Sequence, residues 1–232
     1  IFFLYIRENI MNIIAICNEL YTMTNLYNKK DIYYINKKEE LTLELLYQLK
    51  PQYVFFPHWS YKIPAEIYEN FECVIFHETD LPFGRGGSPL QNLIERGIYE
   101  TKITALKCNA ELDAGDIYLK RDFSLKDKAA HELFVEIGNI VADMIDEIIE
   151  KQITPTPQLG EITVFKRRTP VQSNISSLNS LEKIFDYIRM LDAPGYPNAF
   201  LEHNNIQYSF QNVQKQNGKL IATVEIKDKN NE

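Results

Sequence analysis

Three short apolar stretches constrain the fold of the first half of the chain most strongly. Residues 11–17, 53–56 and 73–76 are strongly apolar, which is typical of strands buried on both faces of a parallel sheet. Between the first two, residues 41–49 carry apolar side chains at helical spacing, and the pattern stops before Pro51. Strand, helix and strand with short connections predict an α/β sheet with right-handed crossovers.

The alternation of strands and helices continues along the chain. Residues 33–35, 101–108 and 116–123 are predicted as strands, and residues 64–69, 88–96 and 128–151 as helices. Ser88 is the expected N-cap of the second of these helices, with Pro89 as its first residue. The long helix over 128–151 is amphipathic and is expected to pack on the sheet. The order of elements predicts an α/β fold with a Rossmann-like, mostly parallel sheet flanked by helices.

The composition changes in the last third of the chain. Residues 154–170 contain three prolines and the basic cluster Lys-Arg-Arg at 166–168, a composition typical of a solvated linker. A helix is predicted over 181–191, and residues 199–227 alternate like the strands of a meander. The expected C-terminal region is therefore small and mostly β.

These patterns predict four parts along the chain. They are an N-terminal extension (1–10), a main α/β domain (11–160), a linker (161–180) and a small subdomain of a helix and a β-meander (181–232). Met11 directly precedes the first strand and is the expected biological start. The turn signals of the meander are Asn204-Asn205 and Asn217-Gly218.

Charge and cysteine usage exclude several classes of protein. Lys and Arg number 25 and Asp and Glu 32, for a net charge of −7, which disfavours a broad basic surface but allows a local patch. Cys17, Cys73 and Cys108 have neither metal-ligand spacing nor the pattern of a disulfide framework. No apolar run approaches the roughly 20 residues that span a bilayer. We therefore expect a cytoplasmic protein with no membrane partner.

The loop after the first strand argues against dinucleotide binding. A Rossmann fingerprint needs a glycine-rich turn there, so that backbone N–H groups can reach a pyrophosphate. The sequence Cys-Asn-Glu-Leu at 17–20 contains no glycine, and the chain has no Gly-Lys-Ser/Thr phosphate loop.

Residues 77–89 form the segment richest in chemically useful side chains. His77 follows a predicted buried strand, and three glycines surround Arg85 before the next helix. Ligands of open α/β sheets bind at this end of the strands. Glycine lets the backbone approach a ligand, arginine can meet an anion, and histidine is the best acid/base group near neutral pH. Asp113 lies in a second loop, where it could orient the imidazole.

Two motifs in these segments resemble those of formyltransferases that use 10-formyltetrahydrofolate. The first is carried by His77, Leu81, Pro82, Arg85, Gly86 and Pro89, and the second by Leu112, Asp113, Gly115, Asp116 and Ile117. The resemblance extends over about residues 11–160 and identifies this part as a catalytic domain. Residues 166–200 are similar to the linker and C-terminal region of methionyl-tRNA formyltransferases. The sequence of residues 76–97, which contains the first motif, also resembles a subgroup that includes sugar N-formyltransferases.

The resemblance implies transfer of a formyl group from 10-formyltetrahydrofolate, as co-substrate, to a primary amine without a metal ion. It implies that His77 stabilises the oxyanion or accepts a proton, and that Asp113 orients His77 and helps to move the proton toward the departing folate nitrogen. The residues expected to bind the folate are Tyr61, Ile63, Leu112 and Asp116, and those expected to bind the acceptor are Arg85, Gly86, Gly87 and Ser88.

The chain departs from the family at one position. The family has an asparagine two residues before the histidine, and Ile75 stands there. An apolar side chain cannot donate a hydrogen bond to the formyl oxygen. Either another donor replaces the asparagine, with His58 and Gln91 as the nearest polar residues to consider, or the chain is slow or inactive. In the latter case it is a folate- or nucleotide-binding module.

Two acceptors of the formyl group stay open. One is an amino sugar carried on a nucleotide, and the other is the methionyl group of initiator tRNA. The negative net charge and a C-terminal region of only about 65 residues leave little room for a tRNA-binding domain. The sequence therefore favours the amino sugar, and it does not indicate the oligomeric state.

Overall fold

The structure is a computed structural model that describes residues 11–17 and 19–231, so the expected extension 1–10 lies outside the described residues. The strands are β1 (Asn12–Ile16), β2 (Ile32–Ile35), β3 (Val54–His58), β4 (Cys73–His77), β5 (Arg85–Gly86), β6 (Glu100–Lys107), β7 (Ile117–Ser124), β8 (Val164–Phe165), β9 (Ala199–His203), β10 (Ile206–Gln216) and β11 (Lys219–Asp228). The helices are α1 (Leu43–Leu49), α2 (Ala65–Tyr68), α3 (Pro89–Glu95), α4 (Ala130–Lys151) and α5 (Leu181–Arg189).

Within the described ranges, six strands form the main sheet in the order β2-β1-β3-β4-β6-β7. The first four are parallel to one another, and β6 and β7 are antiparallel to their neighbours. The predicted α/β class is thereby confirmed. Because parallel strands end at the same edge of a sheet, His58 and His77 both lie at the carboxyl edge, where such folds bind ligands.

An apolar core covers each face of the sheet. On one face, α4 contributes Ile137, Val141 and Ile145, whose helical spacing produces the predicted amphipathic stripe. On the other face, α1 and α2 contribute Leu46 and Ile67. Burial of these side chains fixes the carboxyl edge of the sheet as a rigid platform.

The side chains of β4 alternate between these two cores. Val74 and Phe76 pack on the α4 side, whereas Cys73 and Ile75 pack on the side of α1 and α2. The period of two in a strand therefore places His77 on the same side as Ile75.

The C-terminal strands form a separate three-stranded antiparallel sheet in the order β11-β10-β9. Its two turns are at the predicted positions, and Asn204, Asn217 and Gly218 adopt the positive φ values of 54°, 50° and 74°. Asn and Gly tolerate this conformation, which explains the turn signals. The predicted mostly-β C-terminal region is confirmed, with α5 packed against β10.

The segment 161–180 is not the solvated linker that its composition predicts. Its strand β8 pairs in parallel with β5, and Ile175 donates a backbone hydrogen bond to Phe200 in the C-terminal sheet. The Arg168 side chain is only 6% exposed and forms an ion pair with Glu95. Prolines favour extended backbone, and here that backbone is used for pairing rather than for a spacer.

Ser88 also differs from its expected role. It precedes α3, but its φ is 51° and its side chain does not cap the helix. The Ser88 hydroxyl instead accepts a hydrogen bond from the Arg168 backbone N–H, at 3.1 Å. Separately, none of the helices in the described ranges is both long and apolar enough to cross a membrane.

Candidate active site

His77 is the last residue of β4 and is almost completely buried, with 6% exposure. Its Nε2 lies 2.8 Å from the Gly84 carbonyl oxygen, and its Nδ1 lies 3.7 Å from Asp113 Oδ2. A carbonyl only accepts hydrogen bonds, so Nε2 is the donor. Both partners of the ring are acceptors, an arrangement complementary to an imidazole that carries a proton on each nitrogen.

Asp113 connects His77 to the glycine loop. Its Oδ2 accepts a hydrogen bond from the Gly86 backbone N–H at 2.8 Å, and its own φ is 52°, a conformation that aspartate tolerates better than most residues. The Asp113 carboxylate is 8% exposed. Because 3.7 Å is too long for a direct hydrogen bond to His77, a proton of a ligand or of water can lie between them.

Gln158 is a site residue that the sequence did not predict. Its Oε1 accepts hydrogen bonds from Arg85 Nε and Nη2, at 3.1 and 2.8 Å. Its Nε2 donates to the carbonyls of Asp113 and Gly115, at 2.9 and 2.8 Å. One amide thereby ties the glycine loop to the Asp113 loop. Gln158 lies in a proline-rich stretch without a motif, so no local signal marks it.

The four residues expected to bind the acceptor all have partners within the chain. The Arg85 guanidinium is directed toward Gln158. A Cβ on Gly86 would lie 2.3 Å from the Phe165 carbonyl oxygen, and one on Gly87 would lie 2.6 Å from Arg167 Cβ. These glycines therefore allow close approach of the 165–168 backbone. Contact of Arg85, Gly86, Gly87 and Ser88 with an acceptor stays a prediction.

The residues expected to bind the folate lie on the His77 side of the sheet and at its rim. Ile63 is 9% exposed and packs in the α1–α2 core. Tyr61 and Leu112 are exposed, by 46% and 71%, and the Asp116 side chain is exposed while its carbonyl accepts a hydrogen bond from Lys107. Their contact with a folate is a prediction that these positions leave open.

The aromatic loop after β3 suits a flat heteroaromatic ligand. Trp59 packs edge-on against Phe56 and Tyr61, with ring centroids 5.9 and 5.5 Å apart. Its Nε1–H is buried and has no acceptor among the described residues. A buried donor without a partner is costly, and the ring nitrogens and oxygen of a pterin are acceptors. The residues present therefore fit a folate on this side of the sheet.

Ile75 occupies an apolar surrounding rather than a polar one. It is opposite Phe56 in the β3–β4 register and packs in the α1–α2 core. The two polar residues considered as replacements are engaged elsewhere. His58 packs against Tyr21 and Phe134, and Gln91 donates from Nε2 to the Met190 carbonyl.

Among the contacts of the described residues, neither His58 nor Gln91 touches His77 or Ile75. Burial lowers the pKa of His58 to about 4, so this imidazole is neutral at neutral pH. In the same part of the chain, no group of three or more His, Cys, Asp or Glu side chains is placed to hold a metal ion.

Comparison with known proteins agrees with this architecture. Residues 170–227 match the family described as methionyl-tRNA formyltransferase, C-terminal domain. A solved structure, a methionyl-tRNA formyltransferase from Clostridium thermocellum, is 49% identical with a TM-score of 0.89, covering 94% of this chain and 99% of that one. HypX from Aquifex aeolicus in complex with tetrahydrofolic acid shares the fold, with 20% identity, a TM-score of 0.70, and coverage of 88% of this chain and 38% of that one.

A curated relative extends the comparison to longer proteins. The methionyl-tRNA formyltransferase of Thermodesulfovibrio yellowstonii is 31% identical over 159 residues, which are 66% of this chain and 52% of the relative. The chain thus spans about half the length of this relative. The fold and the His77–Asp113 pair define an α/β protein with a candidate active site at the carboxyl edge of its sheet. The 49% identity to the Clostridium thermocellum protein extends over almost the full length of both chains. The chain therefore belongs to the formyltransferase family.

Proposed function

We propose that this chain transfers a formyl group from 10-formyltetrahydrofolate to a primary amine. The observation that carries the proposal is the His77–Asp113 pair, held on a glycine loop at the carboxyl edge in a chain 49% identical to a methionyl-tRNA formyltransferase. The folate co-substrate supplies an activated one-carbon acyl group. The folate-bound HypX of the same fold supports this choice of donor.

The chain's own residues account for the remaining chemistry. When the amine attacks the formyl carbon, negative charge develops on the formyl oxygen. The buried His77 imidazole at the end of β4 stabilises this charge electrostatically. Asp113 keeps lone pairs free after its bond to Gly86, so it can receive a proton from the attacking nitrogen and return it to the leaving nitrogen. The buried position of both residues keeps bulk water away.

We infer that the acceptor is the amine of methionyl-tRNA, which is the alternative to the amino sugar that the composition favoured. The support is twofold: the relative of the same extent carries that name, and the C-terminal match lies outside the catalytic domain. The preference for an amino sugar rested on net charge, which does not describe local patches, and on the short C-terminal region, although that region is the part that matches a methionyl-tRNA formyltransferase domain. Lys166 and Arg167 are exposed beside the glycine loop, where they can contact tRNA phosphates.

An amino sugar on a nucleotide is the second candidate. The observation that favours it is the small number of exposed cations at the site, because Arg168 of the basic cluster is already paired with Glu95. A nucleotide sugar offers only a diphosphate, so its binding should depend weakly on salt. Binding of tRNA through several phosphates should weaken steeply, with a logarithmic slope of roughly −0.7 to −0.9 per phosphate.

The test measures formyl transfer from 10-formyltetrahydrofolate to methionyl initiator tRNA and to a nucleotide-linked amino sugar. Parallel assays use the double variant Lys166→Ala/Arg167→Ala and the control Lys30→Ala/Lys50→Ala, whose exposed cations precede β2 and β3 at the opposite, amino edge of the sheet. We expect transfer to the tRNA, weakened about tenfold or more by the first variant only. Transfer to the sugar alone, insensitive to both variants, would favour the second candidate. Transfer to neither acceptor refutes the proposed activity.

A further inference from the structure

Glu78 directly follows His77, and its carboxylate is unusual in this protein. In the part of the chain that the structure describes, each other buried or half-buried acidic side chain accepts a hydrogen bond from another residue: Glu72, Asp80, Glu95, Asp113, Glu136, Glu147, Asp186 and Asp192. The half-buried Glu78 carboxylate receives no such bond from another described residue.

Aromatic rings line the α4 side of the carboxyl edge, near the end of β4. Tyr21 packs against His58, with ring centroids 5.5 Å apart, and His58 packs edge-on against Phe134 at 5.8 Å. Phe134 stacks on Tyr196 at 5.4 Å. These four rings form a continuous wall at the carboxyl edge of the sheet, on the α4 side.

A polar atom in this wall also lacks a partner. The Tyr21 hydroxyl is fully buried and has no hydrogen bond among the described residues. Tyr21 is held closely because Gly138 of α4 has no side chain, and a Cβ there would lie 2.9 Å from the tyrosine ring. The α4 side of the carboxyl edge therefore holds a carboxylate without a donor from another described residue and a buried hydroxyl without a partner.

The alternation of side chains along β4 gives the side of the sheet on which Glu78 lies. His77 lies on the side of Ile75, so the next residue, Glu78, is directed to the α4 side, where Val74 and Phe76 pack. In agreement with this side, Glu78 raises the pKa values of Tyr21 and Tyr196.

Burial raises the pKa of Glu78 itself, His77 lowers it, and Asp113 raises it. Arg167 lowers the pKa of Tyr196. The titratable groups that interact electrostatically with Glu78 are His77, Asp113, Tyr21 and Tyr196, and among the described residues no lysine or arginine forms an ion pair with it.

A carboxylate removed from water without a cation is costly, unless a ligand supplies the missing charge. Carboxylate and aromatic faces together are the chemistry that recognises an ammonium group. Glu78 directly follows His77, the residue assigned to the formyl oxygen. A cation held by the Glu78 carboxylate would therefore bring its nitrogen close to the reacting carbon.

We propose that Glu78 binds the acceptor as an ammonium ion and removes its first proton. This inference rests on the proposed formyl transfer. The carboxylate takes a proton from R–NH₃⁺, the N–H electron pair stays on nitrogen, and the resulting R–NH₂ attacks the formyl carbon. The nitrogen loses a second proton as the new C–N bond forms, and that proton goes through Asp113 to the leaving folate nitrogen. Glu78 releases its proton to solvent after each turnover.

The test compares Glu78→Gln with wild type and with Asp80→Asn, a control in the same loop whose carboxylate pairs with Lys120. Steady-state formylation of methionyl-tRNA is measured from about pH 6 to pH 9.5, because a free α-amine titrates near pH 7.7–8.0. At about pH 7, Glu78→Gln should lower kcat/KM for the acceptor by about 100-fold. Above the titration of the amine, the deficit should shrink to less than about tenfold, since the proton is already gone.

Two further measurements separate this role from a structural one. The KM for 10-formyltetrahydrofolate should be unchanged in Glu78→Gln. Wild type should bind methionyl-tRNA more tightly than its α-hydroxy analogue, and Glu78→Gln should bind both equally. If Glu78→Gln does not fold, as judged by thermal melting, Glu78→Asp replaces it and should keep the wild-type pH profile at a reduced rate.

The outcomes that overturn the inference are distinct from failure of the proposed function. An active wild type with the same pH profile and the same amine preference in Glu78→Gln refutes the role of Glu78 and leaves formyl transfer intact. A uniform loss of rate at every pH, with raised KM for the folate, also refutes it. A wild type that formylates neither methionyl-tRNA nor an amino sugar refutes the proposed function and this inference together.

Discussion

His77 and His58 end neighbouring parallel strands, yet the two sides of the sheet give them opposite surroundings. On the α1–α2 side, both nitrogens of His77 face oxygen acceptors, Gly84 O and Asp113 Oδ2. On the α4 side, His58 lies between the rings of Tyr21 and Phe134, and burial lowers its pKa to about 4. The same side chain is therefore surrounded by oxygen acceptors on one side, whereas on the other it is buried among aromatic rings that keep it neutral.

A position at the end of a strand is therefore not sufficient to make a histidine catalytic. His58 and His77 both lie at the carboxyl edge, so the groups around each imidazole determine whether it can take part in the reaction. Acceptors arrive from distant segments: Asp113 lies in the loop before β7, and the glycine loop is held by β8. On the aromatic side, no such acceptors from the described residues surround the His58 ring, which is packed between Tyr21 and Phe134.

The largest expected effect concerns His58, on the α4 side of the sheet. An unfolded histidine has a pKa near 6.5, whereas His58 in the folded protein has one of about 4. Between these values the unfolded state binds the proton more readily, so the free energy of unfolding falls as the pH falls, by up to about 3 kcal/mol. Urea unfolding of wild type and His58→Phe across this range measures it. The variant should lose less stability in acid than wild type.

The exposed His203 provides the control for this prediction, and His203→Gln should keep the acid sensitivity of wild type. Equal acid sensitivity in His58→Phe and wild type would contradict the contrast between the two histidines.

The role of His77, on the α1–α2 side of the sheet, is tested by His77→Ala. Loss of the imidazole should lower turnover by at least about 100-fold, which corresponds to about 2.7 kcal/mol of transition-state stabilisation. The fold should remain intact, because the neighbouring strand residues Val74 and Phe76 keep their core contacts. Formylation rate and thermal melting are measured on the same sample. A rate near that of wild type would remove His77 from the mechanism.

Ile75→Asn tests whether the His77 side accepts a polar group two residues earlier. The amide would enter the apolar core next to Phe56, where an unpaired polar group costs roughly 1–3 kcal/mol. We expect a lower melting temperature, no gain in formylation rate, and a much smaller change for the control Ile75→Val. A large rate gain without loss of stability would show that the amide reaches the formyl oxygen and that the native chain is impaired.

Gln158→Ala should have the smallest effect, because it removes a positioning residue rather than a reacting one. The variant frees Arg85 and loosens the Asp113 loop, and we expect kcat to fall by about tenfold through misplacement of the reacting groups. Gln48→Ala, on an exposed part of α1, is the matched control. Equal rates in both variants would show that the hydrogen bonds of Gln158 do not support the site.

Most of the fold was predictable because its signals are local. The apolar stretches gave β1, β3 and β4, and the amphipathic pattern gave α4 within two residues at its start. The meander turns followed from Asn and Gly, whose left-handed conformation few other residues adopt. Each of these elements is specified by residues within its own segment and not by contacts with distant parts of the chain.

The parts of the site that depend on distant contacts were not predictable. His77 and Asp113 were found through motifs, but their 3.7 Å separation depends on how two loops fold together. Gln158 has no pattern of its own and acts only through residues more than 40 positions away. The pairing of β5 with β8 involves two residues on each side, which is too short for a strand pattern.

The pairing of β5 with β8 has a consequence for the order in which the protein is made. Arg85 and Val164, which are paired, are separated by roughly 80 positions, and closing so long a loop is slow compared with forming neighbouring contacts. During synthesis, all six strands of the main sheet precede the segment that holds the glycine loop. A nascent chain can therefore form the main sheet before its active site is assembled. The site becomes complete only after β8, in the last third of the chain, has been synthesised and has paired with β5.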